Sequence, residues 1–344
     1  MRILIGEVMT EITTGVAVRT LALAALALTL GCETRRGGDM GIDELNAKFG
    51  APGRIVFRQG FAGYPEAVIA NRYGAAEIAL LGANVLSYRP TGLGETLFRP
   101  AKRDYNRGDK FHGGVPVCWP QFGKLFSKDL PAHGFASKMV FEVRGTEYTE
   151  EKTEVTLGIR SDADTRSLWP HDFDLEVKVS VSMKLNLSMK TTNTGGEPFG
   201  FSCGFHPYLR LRDRDKTVVR GLDGAPFVDG TTPEFREGVQ SGDLRLTFAP
   251  DHIFTAGDAA RHEYAILDDE AGRAIALASR GNGRTVVWNV GDEALPDLAA
   301  DDWRKFVCVE PVSDWPGGRT LAPGASYTLE MAVQASLKKN EGAL

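Results

Sequence analysis

Two short segments of this 344-residue chain place an ionisable side chain at the end of an apolar run that a proline stops. In "SCGFHPYLRL" the residue is His206, followed by Pro207; in "FVCVEP" it is Glu310, followed by Pro311. The residue before a proline is held extended, so each side chain stands at a stiff strand end. Strand ends that open onto loops are where a β-scaffold builds sites. Glu310 lies two positions from Cys308, so the two share a strand face. Cysteine is not a typical wet-face residue, and that face is therefore expected to be enclosed. A partly buried carboxylate beside an imidazole is a general acid/base pair.

The other five histidines have weaker settings. His252 and His262 sit in polar, loop-like sequence, and His171 in "LWPHDF" reads as a turn or packing residue. His112 and His133 belong to a region of glycines, prolines and aromatics with almost no charge, "HGGVPVCWPQFG" followed by "LPAHGFASK". No H-x-H or H-E-x-x-H occurs and no two cysteines are spaced C-x-x-C, so no catalytic metal is expected. No G-x-S-x-G elbow, P-loop or G-x-G-x-x-G after a strand is present either. Cys118, Cys203 and Cys308 stand in apolar surroundings and read as buried free thiols.

The elements that must position these residues are strands. In "DLEVKVSVSMKLNLSMKTTN" apolar residues occupy every second position from Leu175 to Met189, a period of two that predicts one long strand with a buried and a wet face. Shorter strand signals lie at 154–161, 284–290, 305–311 and 327–335, separated by turn sequences such as "NTGGEP" and "SRGNGR". The best helical signal is "GIDELNAKFG" near residue 41. The pattern predicts an all-β protein, a large antiparallel sandwich forming one domain over about residues 40–337 with a polar tail at 338–344.

The chain is 42% hydrophobic and 25% charged with a net charge of −5, and its pI is near 5.8, which argues against nucleic acid as the main partner. The segment "TLALAALALTLGC", ending at Cys32, resembles a signal h-region before a lipid-modifiable cysteine, but is too short for a membrane span. Glu7 and Glu11 burden what should be a basic leader, Thr29 and Leu30 fit a lipobox poorly, and the codons for "RRGGD" suit a ribosome-binding sequence before Met40. The expectation is a start at Met40 and a cytoplasmic protein; the alternative is an exported lipoprotein anchored through Cys32.

Taken in order, "GGVPVCWPQFG", "LPAHGFAS", "LWPHDFDL", "GFHPYL", "VVWN" and "FVCVEP" resemble the glucose-6-phosphate 1-epimerase (hexose-6-phosphate mutarotase) family, part of the wider aldose 1-epimerase group. The resemblance covers about residues 42–335 and implies a galactose-mutarotase-like β-supersandwich. It implies that the catalytic histidine falls on His206 and the catalytic glutamate on Glu310. Asp251 in "APDHIF" and His133 in "HGFAS" become sugar-binding residues, and no cofactor is needed. The implied reaction interconverts the α and β anomers of an aldohexose, with glucose 6-phosphate the leading substrate. An unphosphorylated aldose is the alternative, and a non-catalytic carbohydrate-binding sandwich the rival of another class. The sequence does not settle the oligomeric state.

In this reading the low-charge stretch is the sugar-site rim. Gly113 and Gly114 allow the backbone to approach a ring, and Trp119 and Phe122 either face the sugar or pack in the core. Three positions depart from the family, Ala132 standing where "QHGFAR" has glutamine and two others where arginine is usual. His112 stands where "RGGIP" has arginine, and Ser137 where "QHGFAR" has arginine; those arginines are the expected phosphate holders. Their replacements would be His112 itself and Lys138, with Arg103, Arg107 and Lys110 upstream.

Overall fold

The computed structural model describes residues 40–338, apart from 103, 104, 107, 110, 125, 126, 256–260, 294 and 315. The leader, Cys32 and the end of the tail lie outside the described residues, as do Arg103, Arg107 and Lys110. "GIDELNAKFG" forms the helix Ile42–Phe49, with Asp43 and Glu44 in the first turn and Lys48 in the last, the charge order a helix dipole favours. Leu45 is its buried side chain. Strands dominate the rest. Among the described residues they form sheets of nine, eight, four and two strands with antiparallel pairing throughout.

The nine-stranded sheet carries the long alternation, but as a hairpin. Phe173–Val181 and Leu185–Asn193 pair antiparallel, with Val181 opposite Leu185. Residues 182–184 are the turn, and Met183 is exposed rather than buried. The three-residue loop leaves the alternation intact because paired residues share a face, and 181 and 185 have the same parity. A run of period two is therefore blind to such a turn. The inward set, Leu175, Val177, Val179, Val181, Leu185, Leu187 and Met189, is fully buried as the pattern requires.

The eight-stranded sheet lies in the order Arg236–Val239, Pro226–Asp229, Asp251–Thr255, Arg284–Trp288, Phe306–Val312, Gly204–Phe205, Val117–Cys118; Tyr208–Arg210 also pairs with Phe306–Val312. Val287, Val307, Val309, Phe205 and Phe254 from one face of this sheet join the inward residues of the nine-stranded sheet in one continuous core. This is the sandwich expected from the sequence. The strand Phe306–Val312 is buried at every position, so its second face is covered as well.

Candidate active site

The register of the eight-stranded sheet brings the candidate residues to that second face. Tyr208 is opposite Cys308, Cys308 opposite Trp288, and Trp288 opposite Asp251, so one row crosses four strands. In the next row Glu310 is opposite Val286, and Val286 opposite Ile253. Gly204 is opposite both Val312 and Cys118. Extending the 208–308 and 204–312 pairings places His206 across from Glu310. Residues two apart on a strand share a face, so Cys118, His206, Tyr208, Cys308, Glu310, Trp288 and Asp251 all project to the same side. The backbone amide of His206 donates to Pro116 (3.0 Å), which anchors it where the pairing is interrupted by Pro207.

His206 Nε2 lies 3.5 Å from Glu310 Oε2. Glu310 is 1% exposed and His206 8%. Glu310 Oε2 and His206 Nδ1 are buried without hydrogen-bond partners, an unusual condition for a carboxylate and an imidazole. Burial pushes the Glu310 carboxyl well above its usual range, and the negative charge of Asp251 adds to this. Burial pushes His206 well below the usual imidazole value, with His133 and His112 adding like-charge repulsion. Unperturbed values would have put both groups in their charged forms near pH 6; the dry site moves each the opposite way.

Around this pair the rings close in. The His206 ring stacks on Tyr208 at 4.8 Å and meets Trp288 edge-on at 5.5 Å and His133 at 5.5 Å. Phe122 approaches His133 at 5.0 Å and His206 at 6.4 Å, so of the two aromatic candidates Phe122 belongs to the site. Trp119 does not. It is fully buried among Phe135, Trp169 and Phe173, and its indole N–H donates to Thr191 Oγ1 at 3.0 Å. His171 packs on Trp169 at 4.6 Å and on Phe199 at 5.4 Å, as a packing residue should.

His133 adopts φ = 62°, a left-handed conformation uncommon for a residue with a side chain, and Gly134 follows at 72°. A Cβ at Gly134 would lie 2.0 Å from the Trp119 carbonyl, so only glycine fits. The Gly123 N–H donates to His133 Nδ1 (3.3 Å), which leaves the proton of the neutral ring on Nε2. The glycine pair of the first stretch has a different reason from the one expected. Gly114, at φ = 65°, would bring a Cβ within 2.5 Å of the Val85 carbonyl, and Gly113 one within 2.7 Å of Pro100. Close packing of protein on protein requires these glycines, not approach to a sugar ring.

His112 is held by Asp297, a residue the sequence did not single out. Its Nδ1 lies 2.7 Å from Asp297 Oδ1 and its backbone amide donates to Oδ2 at 2.8 Å. Burial opposes ionisation of Asp297, but these two contacts outweigh it and hold the carboxyl below its usual range. Asp251 stands at the edge of the same face, where Gly230 leaves room for its carboxylate: a Cβ there would lie 2.7 Å from Oδ2. Burial, then the charge of Asp229, pushes Asp251 upward. Lys138 is exposed and closes the 3-10 turn Ala136–Lys138, whose Ser137 backbone packs on Gly82. Tyr208, Trp288 and Cys308 also line the site. Their signal was the two-residue spacing from His206 and Glu310, together with the "VVWN" run.

The sequence and the fold of this chain match known proteins. The profile of the family "Aldose 1-epimerase" matches residues 66–334. The chain belongs to the aldose 1-epimerase family and is an isomerase of the mutarotase type. It is 30% identical over 239 residues to a protein of Escherichia coli K12 named "Putative glucose-6-phosphate 1-epimerase", covering 68% of this chain and 78% of that protein. It is 28% identical over 273 residues to a protein of the same name from Cenchrus ciliaris, covering 76% and 81%. A crystal structure titled as a "putative mutarotase (YeaD)" from Salmonella typhimurium superposes with a TM-score of 0.75 at 26% identity, covering 83% of this chain and 94% of that one. A galactose mutarotase-like protein from Clostridium acetobutylicum shares the fold, with a TM-score of 0.67 at 16% identity over 82% and 98% of the two chains. Among the described residues no helix is long and apolar enough to cross a membrane.

Proposed function

We propose that Glu310 and His206 are the proton carriers of anomer exchange. Glu310, as carboxylate, takes the proton of the C1 hydroxyl while His206, as imidazolium, gives one to the ring oxygen. The C1–O5 bond breaks, the aldehyde forms, and C1 turns about its bond to C2. Closure on the other face returns the ring-oxygen proton to His206 and the Glu310 proton to the new hydroxyl. No electron or group leaves the sugar, so no cofactor is required. The observation that carries this reading is the 3.5 Å approach of His206 Nε2 to Glu310 Oε2 in two buried residues, with Glu310 Oε2 and His206 Nδ1 left without a hydrogen-bond partner. The sugar's hydroxyls supply the hydrogen bonds the empty site lacks, and thereby favour the charged arrangement over the neutral one. His133, with its proton on Nε2, and Asp251 at the rim orient the ring through its hydroxyls.

The substrate we infer is an aldohexose 6-phosphate, on the strength of the names carried by the relatives, with a free aldose as the alternative. The charge around the pair tempers the preference for phosphate. His112 occupies one of the expected arginine positions, but its Nδ1 is engaged by Asp297, so the two together add no net positive charge. Lys138 remains the candidate cation. We place the enzyme in the cytoplasm, with translation from Met40. Polarimetry or NMR exchange of the anomers of glucose and glucose 6-phosphate tests the whole reading. Failure to accelerate either sugar would reduce the protein to a carbohydrate-binding sandwich.

A further inference from the structure

The pair has a third neighbour that proton transfer does not use. Cys308 lies two residues before Glu310 on the same strand face and opposite Tyr208, so its thiol is directed to the same point as the carboxylate and the imidazole. The ligand-capable atoms of His206, Cys308 and Glu310 all lie within 4.8 Å of one another, and all three residues are buried. Cys308 is a free thiol. A nitrogen, a sulfur and an oxygen donor converging on one point form the donor set that a borderline-soft divalent ion selects, whereas magnesium and calcium prefer oxygens alone.

We propose that His206, Cys308 and Glu310 form a binding site for zinc or another thiophilic divalent ion, and that this ion is an inhibitor of the enzyme. With metal–ligand bonds of about 2.0–2.3 Å, donors around a tetrahedral zinc stand about 3.3–3.7 Å apart. The His206–Glu310 separation already matches at 3.5 Å, and Cys308 needs to close by no more than about an ångström, within the reach of side-chain rotation. The unpartnered Glu310 Oε2 is a further sign that the point lacks a ligand. On binding, the metal forms bonds to Nε2, Sγ and a carboxylate oxygen; the thiol proton and the one proton held by the His206–Glu310 pair both leave to solvent, and the neutral imidazole keeps its proton on Nδ1. The ion then occupies the two atoms that carry protons in turnover, and the fourth coordination position is open to water. Inhibition rests on the acid/base reading above; metal binding does not.

The test separates the two. Cadmium is titrated into the intact, reduced protein and the ultraviolet thiolate-to-cadmium charge-transfer band is followed, with zinc as competitor. The band should saturate at one ion per chain, and Cys308→Ser should abolish it or weaken binding about tenfold or more. His206→Asn, which keeps every thiol, should also weaken it about tenfold, and it serves if the cysteine variant fails to fold. In parallel, zinc but not magnesium should inhibit mutarotation, reversibly on addition of a chelator. No band up to millimolar cadmium, or a band unchanged in both variants because Cys32, Cys118 or Cys203 supplies it, overturns the site. A band that forms without inhibition keeps the site and removes His206 and Glu310 from the chemistry.

Discussion

Two aromatic clusters sit on opposite sides of the eight-stranded sheet, and the segment after its short strand Val117–Cys118 contributes to both, Trp119 to one and Phe122 to the other. On the core side Trp119 meets Phe173 at 4.4 Å and Trp169 at 5.2 Å, and its one polar group is bonded to Thr191. On the other side Tyr208, Trp288 and Phe122 surround His206 with similar ring distances, yet Glu310 Oε2 and His206 Nδ1 have no partner. Ring content and burial do not separate the two clusters. Polar satisfaction does: the core closes its hydrogen bonds internally, while the site leaves them to a ligand. The comparison also shows where the stability and the activity of this protein should divide.

The largest effect should come from the satisfied cluster. Trp119→Ala removes a fully buried indole and strands the Thr191 hydroxyl, and should cost about 3–5 kcal/mol of stability. Denaturant unfolding should show this loss, while kcat of the fraction that remains folded stays near that of the parent. If kcat falls as steeply as for a site variant, the division between the clusters is wrong.

In the unsatisfied cluster the order reverses. Glu310→Gln and His206→Asn should each lower kcat by about a hundredfold or more, with little change in the unfolding midpoint. The double variant should be scarcely slower than either single one, because the two act as a unit. Near-normal anomer exchange by Glu310→Gln would remove that residue from the mechanism.

How much of this contrast the sequence reveals depends on the range of the interaction. The strands and the His206–Glu310 pair are legible because alternation and proline-stopped runs are local signals, and Cys308 marks the covered face. The hairpin at residues 182–184 is not, since a turn of odd length preserves parity. Asp297 is not either: it meets His112 across 185 positions, and no local pattern encodes that pairing. The glycines at 113 and 114 were visible as glycines, but their reason, the Val85 carbonyl and Pro100, lies in tertiary packing. The environment of the pair was the largest gap. Ordinary pKa values assume water, and the second face of this sheet excludes it.

A smaller effect concerns phosphate. One charge-assisted hydrogen bond contributes about 1.5–3 kcal/mol, so a site short of an arginine should show about ten- to a hundredfold less preference for glucose 6-phosphate over glucose. His112→Arg with Ser137→Arg should raise the ratio of kcat/KM values for the two sugars by about tenfold or more. Asp297 would offset part of the first charge, so adding Asp297→Asn should raise the ratio further. A ratio that does not move in either variant would show that positions 112 and 137 do not face the phosphate.

The smallest effect should be that of pH. Turnover needs the pair to hold one proton, whichever partner carries it in the empty enzyme. With the ordinary values of 4.5 for Glu310 and 6.5 for His206, the one-proton state would occupy only the interval between them. Burial drives the two limits past each other, so that His206 bounds the interval on the acid side and Glu310 on the alkaline side. His206, lowered by burial, takes up a second proton only in more acid solution, and Glu310, raised by burial, gives up the last one only in more alkaline solution. The same shifts fix the sign for stability. The contribution of Glu310 is complete below its ordinary value and is lost as pH rises through its raised folded value; that of His206 is complete above its ordinary value and is lost as pH falls through its lowered one. The profile of kcat/KM should therefore show no limbs at the ordinary values of 4.5 and 6.5, and Glu310→Gln should remove the alkaline loss of stability. A narrow bell with limbs at the ordinary values would mean that water reaches the pair, and the contrast between a dry, unsatisfied site and a dry, satisfied core would fail at its first premise.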